Sequence, residues 1–217
     1  MNPSYITFIV ASYLIGSIPF GVLIAKAHGK DLRKIGSGNI GATNVSRALG
    51  KNWAYICFAL DVLKGLAPTL AFSFVIERPP SLVQLWVWLA VGAAAVIGHI
   101  FPIYLRFKGG KGVSTSLGMI LGLYPYYTMT GLLVFVIWTA AVLAWNYVSL
   151  ASIIAACCFP LILLVAMLAH SQWDITQLWP LIVAAVVMSA LVILRHRTNI
   201  KRLFAGTENK IMQKKTE

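Results

Sequence analysis

The chain is poor in charge, above all in acidic residues. Only 11% of its 217 residues are charged, and 6 carboxylates stand against 18 lysines and arginines. Soluble domains carry about 25% charged residues, so the sequence excludes an ordinary soluble globule. It is 59% hydrophobic, with long apolar runs from end to end. These features predict an all-α integral membrane protein that forms a single domain over residues 1–217.

Cysteine is also scarce, and its spacing fits no known motif. Cys57, Cys157 and Cys158 all lie in apolar segments, without a CxxC pair or a histidine at metal-ligand spacing. The sequence therefore predicts reduced thiols in apolar surroundings, and it predicts no metal site. No internal repeat, linker or second domain is apparent. The polar residues 206–217 are predicted to form a flexible tail.

No lysine or arginine precedes Lys26, so the chain lacks the basic region of a cleaved secretory signal. Its first apolar run is predicted to be a retained helix, because about 20 apolar residues cross a bilayer core of about 30 Å. In all, the apolar runs predict seven transmembrane helices. They cover residues 4–25, 53–76, 82–101, 113–127, 128–145, 148–169 and 179–195.

Basic residues are concentrated in three segments between or after these runs. Residues 26–52, residues 102–112 and the tail from 195 hold six, three and seven of them, whereas the opposite loops hold only Arg78. Because cytoplasmic loops of membrane proteins collect Lys and Arg, this asymmetry predicts an external N-terminus and a cytoplasmic C-terminus. It also accounts for the net charge of +12 without a nucleic-acid partner.

The first basic segment contains GSGNIGATNVSRALG, residues 36–50. Its glycines free the backbone to turn N–H groups toward an anion. Thr43 or Asn44 is predicted to open a short helix whose N-terminus also favours negative charge. Ser37, Asn39 and Asn44 add neutral donors, and the planar fork of Arg47 suits two phosphate oxygens. On its own, the segment is equally compatible with a glycine-rich surface turn.

The second segment, GHIFPIYLRFKGGKGVST at residues 98–115, is not a nucleotide-binding loop. A Walker A motif needs glycine where this chain has Leu105. What remains is a predicted anion nest of three glycines with two lysines, just before a helix start. Its members are Lys108, Gly109, Gly110, Lys111 and Gly112.

Further polar residues occur near or within the apolar runs. His196 and Asn199 are three residues apart and share a helix face, and His196 can exchange a proton near neutral pH. Asp61 and Lys64 are also three apart, inside the second run, where charges are costly unless paired. They are predicted to form an internal ion pair, with a proton or ion relay as the alternative. Ser149 and Ser152 either bond carbonyls of the preceding turn or complete a polar site.

Five motifs together resemble one family. GSIPFG (16–21), SGNIGATNVSRALG (37–50), DVLKG (61–65), GHIFPIYLRFKGGKGV (98–113) and HRTNIKRLFAGTENK (196–210) look like the bacterial acyl-phosphate:glycerol-3-phosphate acyltransferases, the PlsY family. The motifs run in the family's order over nearly the whole chain. The chain departs from the usual pattern at Asn146 and Val148, where the family often has a basic residue and a serine.

The resemblance implies a seven-helix enzyme of the bacterial inner membrane whose active site faces the cytoplasm. It implies transfer of a fatty acyl group from acyl-phosphate to the 1-hydroxyl of glycerol 3-phosphate, among membrane lipids and without metal or cofactor. Oligomeric state does not follow from it. The family's site residues map onto Ser37, Arg47, Lys111, Ser149 (or Ser152), His196 and Asn199.

From these residues we expect a division of roles within one pocket. Lys111 and the loop amides hold acyl-phosphate, and Arg47, Ser37 and His196 hold glycerol 3-phosphate. His196, oriented by Asn199, or a substrate phosphate oxygen accepts the proton of the attacking hydroxyl. A transporter or flippase of an anionic lipid or phosphate compound is the alternative function, although transporters usually bind at mid-membrane between related halves.

Overall fold

The structure is a computed structural model that describes residues 3–211. Within that range every regular element is a helix and no strand occurs, so the predicted all-α class is confirmed. The chain packs as two compact units, the first ending at Thr128 and the second beginning at Met129. The two units are therefore described separately.

The first unit is built on two long helices and several shorter ones. Pro19, which lacks an amide hydrogen, lies between the first two helices. The first apolar run is therefore divided into two helices at this proline. Two 3₁₀ turns, Leu32–Lys34 and Ile103–Leu105, lie in the basic segments. The α-helices are α1 (Pro3–Ser17), α2 (Phe20–Ala27), α3 (Ala42–Leu49), α4 (Lys51–Ser73), α5 (Leu82–Ile100) and α6 (Val113–Gly122).

Glycines let helices of the first unit approach closely. Helix α4 packs against α6, and α1 packs against α5. A Cβ added at Gly65 would collide with the carbonyl oxygen of Thr115, and one at Gly118 with that of Val62. Between membrane helices, association depends on such close backbone packing rather than on a hydrophobic driving force. These contacts fix α6, and with it the preceding residues 108–112, which we call the lysine loop, on α4.

The second unit is a smaller group of helices. Helix α8 packs against α9, and α10 packs against both. The indole Nε1 of Trp138 donates to Ser152 Oγ at 3.1 Å and thereby joins α7 to α8. These helices are α7 (Thr128–Trp145), α8 (Val148–Ala169), α9 (Ile175–Arg195) and α10 (Arg197–Phe204).

By helix length and composition, the described residues contain six candidate spans rather than the predicted seven. Within residues 3–211, six segments have the length and apolar composition to cross a bilayer, and the predicted fourth span at 113–127 is not among them. There, α6 has only 10 residues, about 15 Å at 1.5 Å per residue against a core of about 30 Å. The backbone leaves helical geometry at Leu123, before Pro125. The six segments are Pro3–Ala27, Lys51–Ser73, Leu82–Leu105, Thr128–Trp145, Val148–Ala169 and Ile175–Arg195.

Candidate functional site

Asn44 organises the first glycine-rich segment. Its Nδ2 donates to the carbonyl oxygens of Leu32 and Ile35 at 3.0 and 2.9 Å, and its Oδ1 accepts from Ser37 N at 3.0 Å. The residue is 1% exposed. Both amide hydrogens of Asn44 are thus used within the protein, because asparagine has no others. Asn44 therefore has a structural role in this turn, and its predicted substrate contact stays a prediction. Helix α3 begins earlier than predicted, at Ala42.

The turn before α3 displays the other predicted residues of this segment. Gly36 and Gly38 have φ values of +56° and +67°, a region that glycine enters without strain. The side chain of Arg47 passes beside Gly36, as shown by the 3.2 Å that would separate Arg47 Cδ from a Cβ added at Gly36. Ser37 and Arg47 are exposed. The structure therefore brings these two predicted residues to one turn.

Asn39 and Thr43 have local positions in the same segment. The Oδ1 of Asn39 accepts from Gly41 N at 2.9 Å and so tightens the turn that precedes α3. Thr43 lies in the first turn of α3, half-buried. Their predicted contacts with substrate stay predictions.

The glycines of the second segment pack against the end of α5. Gly109 N donates to the carbonyl oxygen of Ile100 at 3.1 Å, and Gly110 N donates to that of His99 at 3.0 Å. These amides therefore satisfy carbonyls that the helix end leaves without an intrahelical partner. They do not turn outward as the predicted anion nest required. A Cβ at Gly109 would collide with His99 O, and one at Gly110 with His99 Nε2, so the absence of side chains is what these positions need.

The lysine loop and the first segment lie at the same end of the first unit. The Nη2 of Arg33 donates to the carbonyl oxygen of Lys108 at 3.4 Å. Lys108 is exposed and Lys111 is half-buried. Gly112 has a φ of +88° and precedes the first residue of α6. Cations from two distant stretches of sequence are thus gathered beside a helix N-terminus, an arrangement that favours anions.

Below this end, Asp61 and Lys64 form the predicted ion pair. Lys64 Nζ lies 2.8 Å from Asp61 Oδ1, and both side chains are nearly inaccessible to solvent. The prediction of an internal pair is confirmed.

In the second unit, Glu208 gathers three polar side chains. Its Oε1 accepts from Ser149 Oγ at 2.8 Å and from Asn199 Nδ2 at 2.6 Å. Its Oε2 accepts from Arg202 Nε at 2.7 Å. Two of the predicted site residues, Ser149 and Asn199, therefore meet at one carboxylate. We call Ser149, Asn199, Arg202 and Glu208 the carboxylate cluster.

The cluster has a consequence for the predicted flexible tail. Besides the contacts of Glu208, Ile211 N donates to Asn146 O at 2.9 Å, and Lys210 Nζ lies 5.7 Å from the centre of the Tyr147 ring. Residues 208–211 are thus held against the start of α8, which corrects the predicted tail in this part. The remainder, 212–217, lies outside the described residues.

The cluster also sets the charge of Glu208. Burial alone raises the pKa of the carboxyl, but hydrogen bonds from Asn199, Ser149 and Arg202, together with the charge of Arg202, outweigh it. The pKa of Glu208 therefore lies below its ordinary value. The cluster holds an ionised carboxylate at neutral pH.

His196 lies at the junction of α9 and α10 and is 2% exposed. Its Nδ1 is 2.8 Å from the carbonyl oxygen of Val192. A carbonyl can only accept a hydrogen bond, so Nδ1 carries the hydrogen, and in the neutral ring Nε2 is the nitrogen with the lone pair. That tautomer is the one a general base needs at Nε2.

The two serines of α8 have different roles. Ser152 Oγ donates to Val148 O at 2.8 Å, the carbonyl of the preceding turn, and accepts from Trp138. Ser149 instead faces the carboxylate cluster. Of the two alternatives, Ser149 is therefore the one placed beside another predicted site residue.

Sequence reasoning missed Glu208 and His99. Glu208 is the one acidic residue in residues 195–211, among five lysines and arginines, and that isolation was the available signal. Arg202 was not among the predicted site residues, whereas its Nε binds Glu208. His99 precedes the lysine loop by nine residues, and nothing in its spacing distinguishes it. The expectation that all predicted residues form one pocket stays a prediction.

Known proteins resemble this chain over almost its whole length. A family model described as "Glycerol-3-phosphate acyltransferase" matches residues 6–206. A curated protein of that name from Geotalea daltonii is 47% identical over 206 residues, which are 95% of this chain and 97% of that protein. One from Aquifex aeolicus is 44% identical and covers 93% of this chain and 96% of its own length.

Solved structures agree with the sequence matches. A crystal structure of PlsY (YgiH), described as an integral membrane glycerol 3-phosphate acyltransferase in its glycerol 3-phosphate form, has a TM-score of 0.83 and 41% identity. The lysophosphatidic acid form has a TM-score of 0.80 and 40% identity. Each match covers 95% of both chains. The chain is thus similar to these proteins in both sequence and fold.

Proposed function

Because this chain belongs to the glycerol-3-phosphate acyltransferase family, we propose that it acylates glycerol 3-phosphate in phospholipid synthesis. The acyl donor we propose is acyl-phosphate. The products are then 1-acyl-glycerol 3-phosphate (lysophosphatidate) and inorganic phosphate. Relatives named for this acyl transfer support the acceptor. The donor rests on the resemblance of the five sequence motifs.

Acyl-phosphate is a mixed anhydride and needs no further activation. The 1-hydroxyl oxygen attacks the acyl carbon, a new ester bond forms, and the bond from that carbon to the phosphate oxygen breaks. Phosphate leaves with the electron pair. Catalysis then consists of positioning two phosphate groups and stabilising negative charge as it develops. No covalent enzyme intermediate is required.

The first unit carries the cations this chemistry needs. The observation that supports the proposal most directly is the hydrogen bond from Arg33 to the Lys108 carbonyl, since it joins the two basic segments. We assign Lys111, with Lys108, to the phosphate of the acyl donor. Arg47 and Ser37, at the turn before α3, are assigned to glycerol 3-phosphate. Their exposure at the end of the helices suits a substrate that arrives from water.

The second unit carries the proposed base. We assign His196 Nε2 to the proton of the attacking hydroxyl, since its Nδ1 hydrogen is engaged by Val192 O. Asn199 and Ser149 are oriented by Glu208. A phosphate oxygen of the substrate is the alternative acceptor for that proton. A His196→Ala variant that loses affinity but keeps its rate at saturation would favour the phosphate and leave His196 as a binding residue.

Basic residues support a cytoplasmic active site. Residues 26–52 and 102–112 hold six and three lysines and arginines, against Arg78 alone in the loop between α4 and α5. By the distribution typical of inner-membrane proteins, we propose that both segments face the cytoplasm of a bacterial cell and that the N-terminus is external. A cytoplasmic C-terminal segment, as the resemblance implies, requires an odd number of crossings. It therefore requires that α6 and the turn after it complete one.

The donor is tested with purified protein and labelled glycerol 3-phosphate. Acyl-phosphate, acyl-CoA and acyl-carrier-protein thioester are offered separately, and labelled lysophosphatidate and released phosphate are measured. Product from acyl-phosphate alone supports the proposal, whereas product from a thioester alone would refute the donor assignment. Labelled phosphate compound that crosses vesicle membranes without acylation would support the transporter alternative.

A further inference from the structure

A chain of buried polar groups runs through the first unit below the lysine loop. Asp61, Lys64 and His99 are 2%, 3% and 4% exposed. Lys64 Nζ binds Asp61 Oδ1 at 2.8 Å and the carbonyl oxygen of Ile18 at 2.9 Å. On the other side, His99 Nδ1 lies 3.6 Å from the same Asp61 oxygen. These buried polar groups therefore connect the break between α1 and α2 to helix α4 and then to helix α5.

The far edge of the His99 ring meets the lysine loop. The space a Cβ would occupy at Gly110 is filled by His99 Nε2. Gly110 N also donates to the carbonyl of the same histidine at 3.0 Å. One ring edge thus faces the Asp61 carboxylate while the opposite edge supports the backbone one residue before Lys111.

Packing alone accounts poorly for this arrangement. Burying ionisable groups is costly unless they satisfy one another, and Asp61 and Lys64 already do so as a pair. One negative and one positive charge balance within that pair, so the pair does not need a third ionisable side chain beside it. Yet His99 is buried with its two nitrogens toward a carboxylate and a glycine of the lysine loop. This location is the one expected of a side chain that supports the lysine loop.

We infer that Asp61 and His99 are positioning residues for the lysine loop, and that Lys64 fixes Asp61 by tying it to Ile18. The ring of His99 lies against Gly110, so it sets where the Lys111 ammonium meets a phosphate group. This inference rests on the proposed function, in which Lys111 holds a substrate phosphate. The carboxylate holds the ring in one orientation, as partners of metal-binding histidines do.

The test compares kinetic signatures. A Lys111→Met variant first identifies the substrate whose KM depends on the loop. His99→Ala should raise the KM of that same substrate, by about 10-fold to 100-fold, with a much smaller change in kcat and in the other KM. His99→Gln, which returns a nitrogen to the edge facing Gly110, should recover part of the loss. His28→Asn is the matched control, because His28 is exposed and its ring packs against Trp53, and its kinetics should be unchanged.

Loss of folding is separated from loss of positioning by a second variant. Removing one partner of a buried ion pair often unfolds a protein, whereas replacing both by apolar residues of similar size is often tolerated. Asp61→Leu/Lys64→Met should therefore melt near the wild-type temperature and yet show the raised KM. If that variant, or a folded His99→Ala protein, keeps wild-type KM values, the inference is overturned. A uniform loss of active protein without a KM change overturns it equally.

Hydrogen exchange supplies a readout that is independent of activity. The amides of Gly109 and Gly110 are protected by carbonyls at the end of α5, so His99→Ala and the double variant should speed exchange in peptides that contain them. His28→Asn should leave their exchange unchanged. If wild-type protein fails to acylate glycerol 3-phosphate, the proposed function fails, but this measurement still decides the positioning role. Unchanged exchange in the folded variants would refute it.

Discussion

Replacement of Glu208 tests how much the carboxylate cluster stabilises the second unit. The side chain of Glu208 is 6% exposed and accepts hydrogen bonds from Ser149, Asn199 and Arg202 at 2.6–2.8 Å. Glu208→Ala removes all three and leaves Ser149 and Asn199 buried without their acceptor. At about 1.5 kcal/mol for each hydrogen bond to a charged group, we expect a loss of about 4.5 kcal/mol in the free energy of unfolding.

Glu208→Gln separates charge from shape. Glutamine keeps one oxygen for Ser149 and Asn199 but presents an NH₂ group to Arg202, so the loss should be smaller, about 2 kcal/mol. Thermal unfolding of detergent-purified protein measures both variants, and acylation assays follow on folded material. Thr7→Ala is a suitable control, since Thr7 makes one exposed bond to its own helix. A Glu208→Ala protein that melts with the wild type would refute the reasoning.

The pH dependence of this difference has a fixed sign. The pKa of Glu208 is lowered in the folded protein, so its stabilising contribution is complete above the unfolded value, about 4.3. It is lost as pH falls through the lower native value. The difference in melting temperature between wild type and Glu208→Gln should therefore be constant from neutral pH to about 5 and shrink below about 4. A difference that grows on acidification would contradict the assigned ionisation.

Four further outcomes are expected. Lys111→Ala and Arg47→Ala should each reduce kcat/KM for acyl transfer by about 100-fold or more; near-normal transfer would refute the phosphate assignments. His196→Ala should lower kcat by about 100-fold at saturating substrates if Nε2 is the base, measured against Glu77→Gln, in the loop between α4 and α5, as a control. Asn44→Ala removes three hydrogen bonds to backbone groups and should cost about 3 kcal/mol in thermal unfolding; an unchanged melting temperature would show that the turn does not depend on it. Reporter fusions after residue 211 should indicate the cytoplasm, and a periplasmic signal would show that α6 does not complete a crossing.

Long apolar runs and short spacings were enough to predict much of the fold. Six of the seven predicted spans correspond to helices of membrane-crossing length, because about 20 consecutive apolar residues have few other stable arrangements. The Asp61–Lys64 pair followed from their three-residue separation on one helix. The predicted fourth span, 113–127, did not meet this criterion because hydropathy does not weigh a chain that leaves helical geometry after ten residues.

Partners distant in sequence were beyond such reasoning. Glycine at 109 and 110 indicated a special backbone, but not that His99 and Ile100 would take the two amides. Glu208 lies 59 residues from Ser149, so no local periodicity joins them. Composition indicates which chemical groups are present, whereas only the packed chain decides which of them bind one another.

The distance between Ser149 and Glu208 along the chain also orders events during biosynthesis. Translation proceeds from the N-terminus, so α8 and α9 are complete before the ribosome reaches position 208. Until then, the hydroxyl of Ser149 and the amide of Asn199 lack the acceptor that unites them in the finished protein. The carboxylate cluster can therefore close only after α9 and α10 have been synthesised, which makes it a late step in maturation.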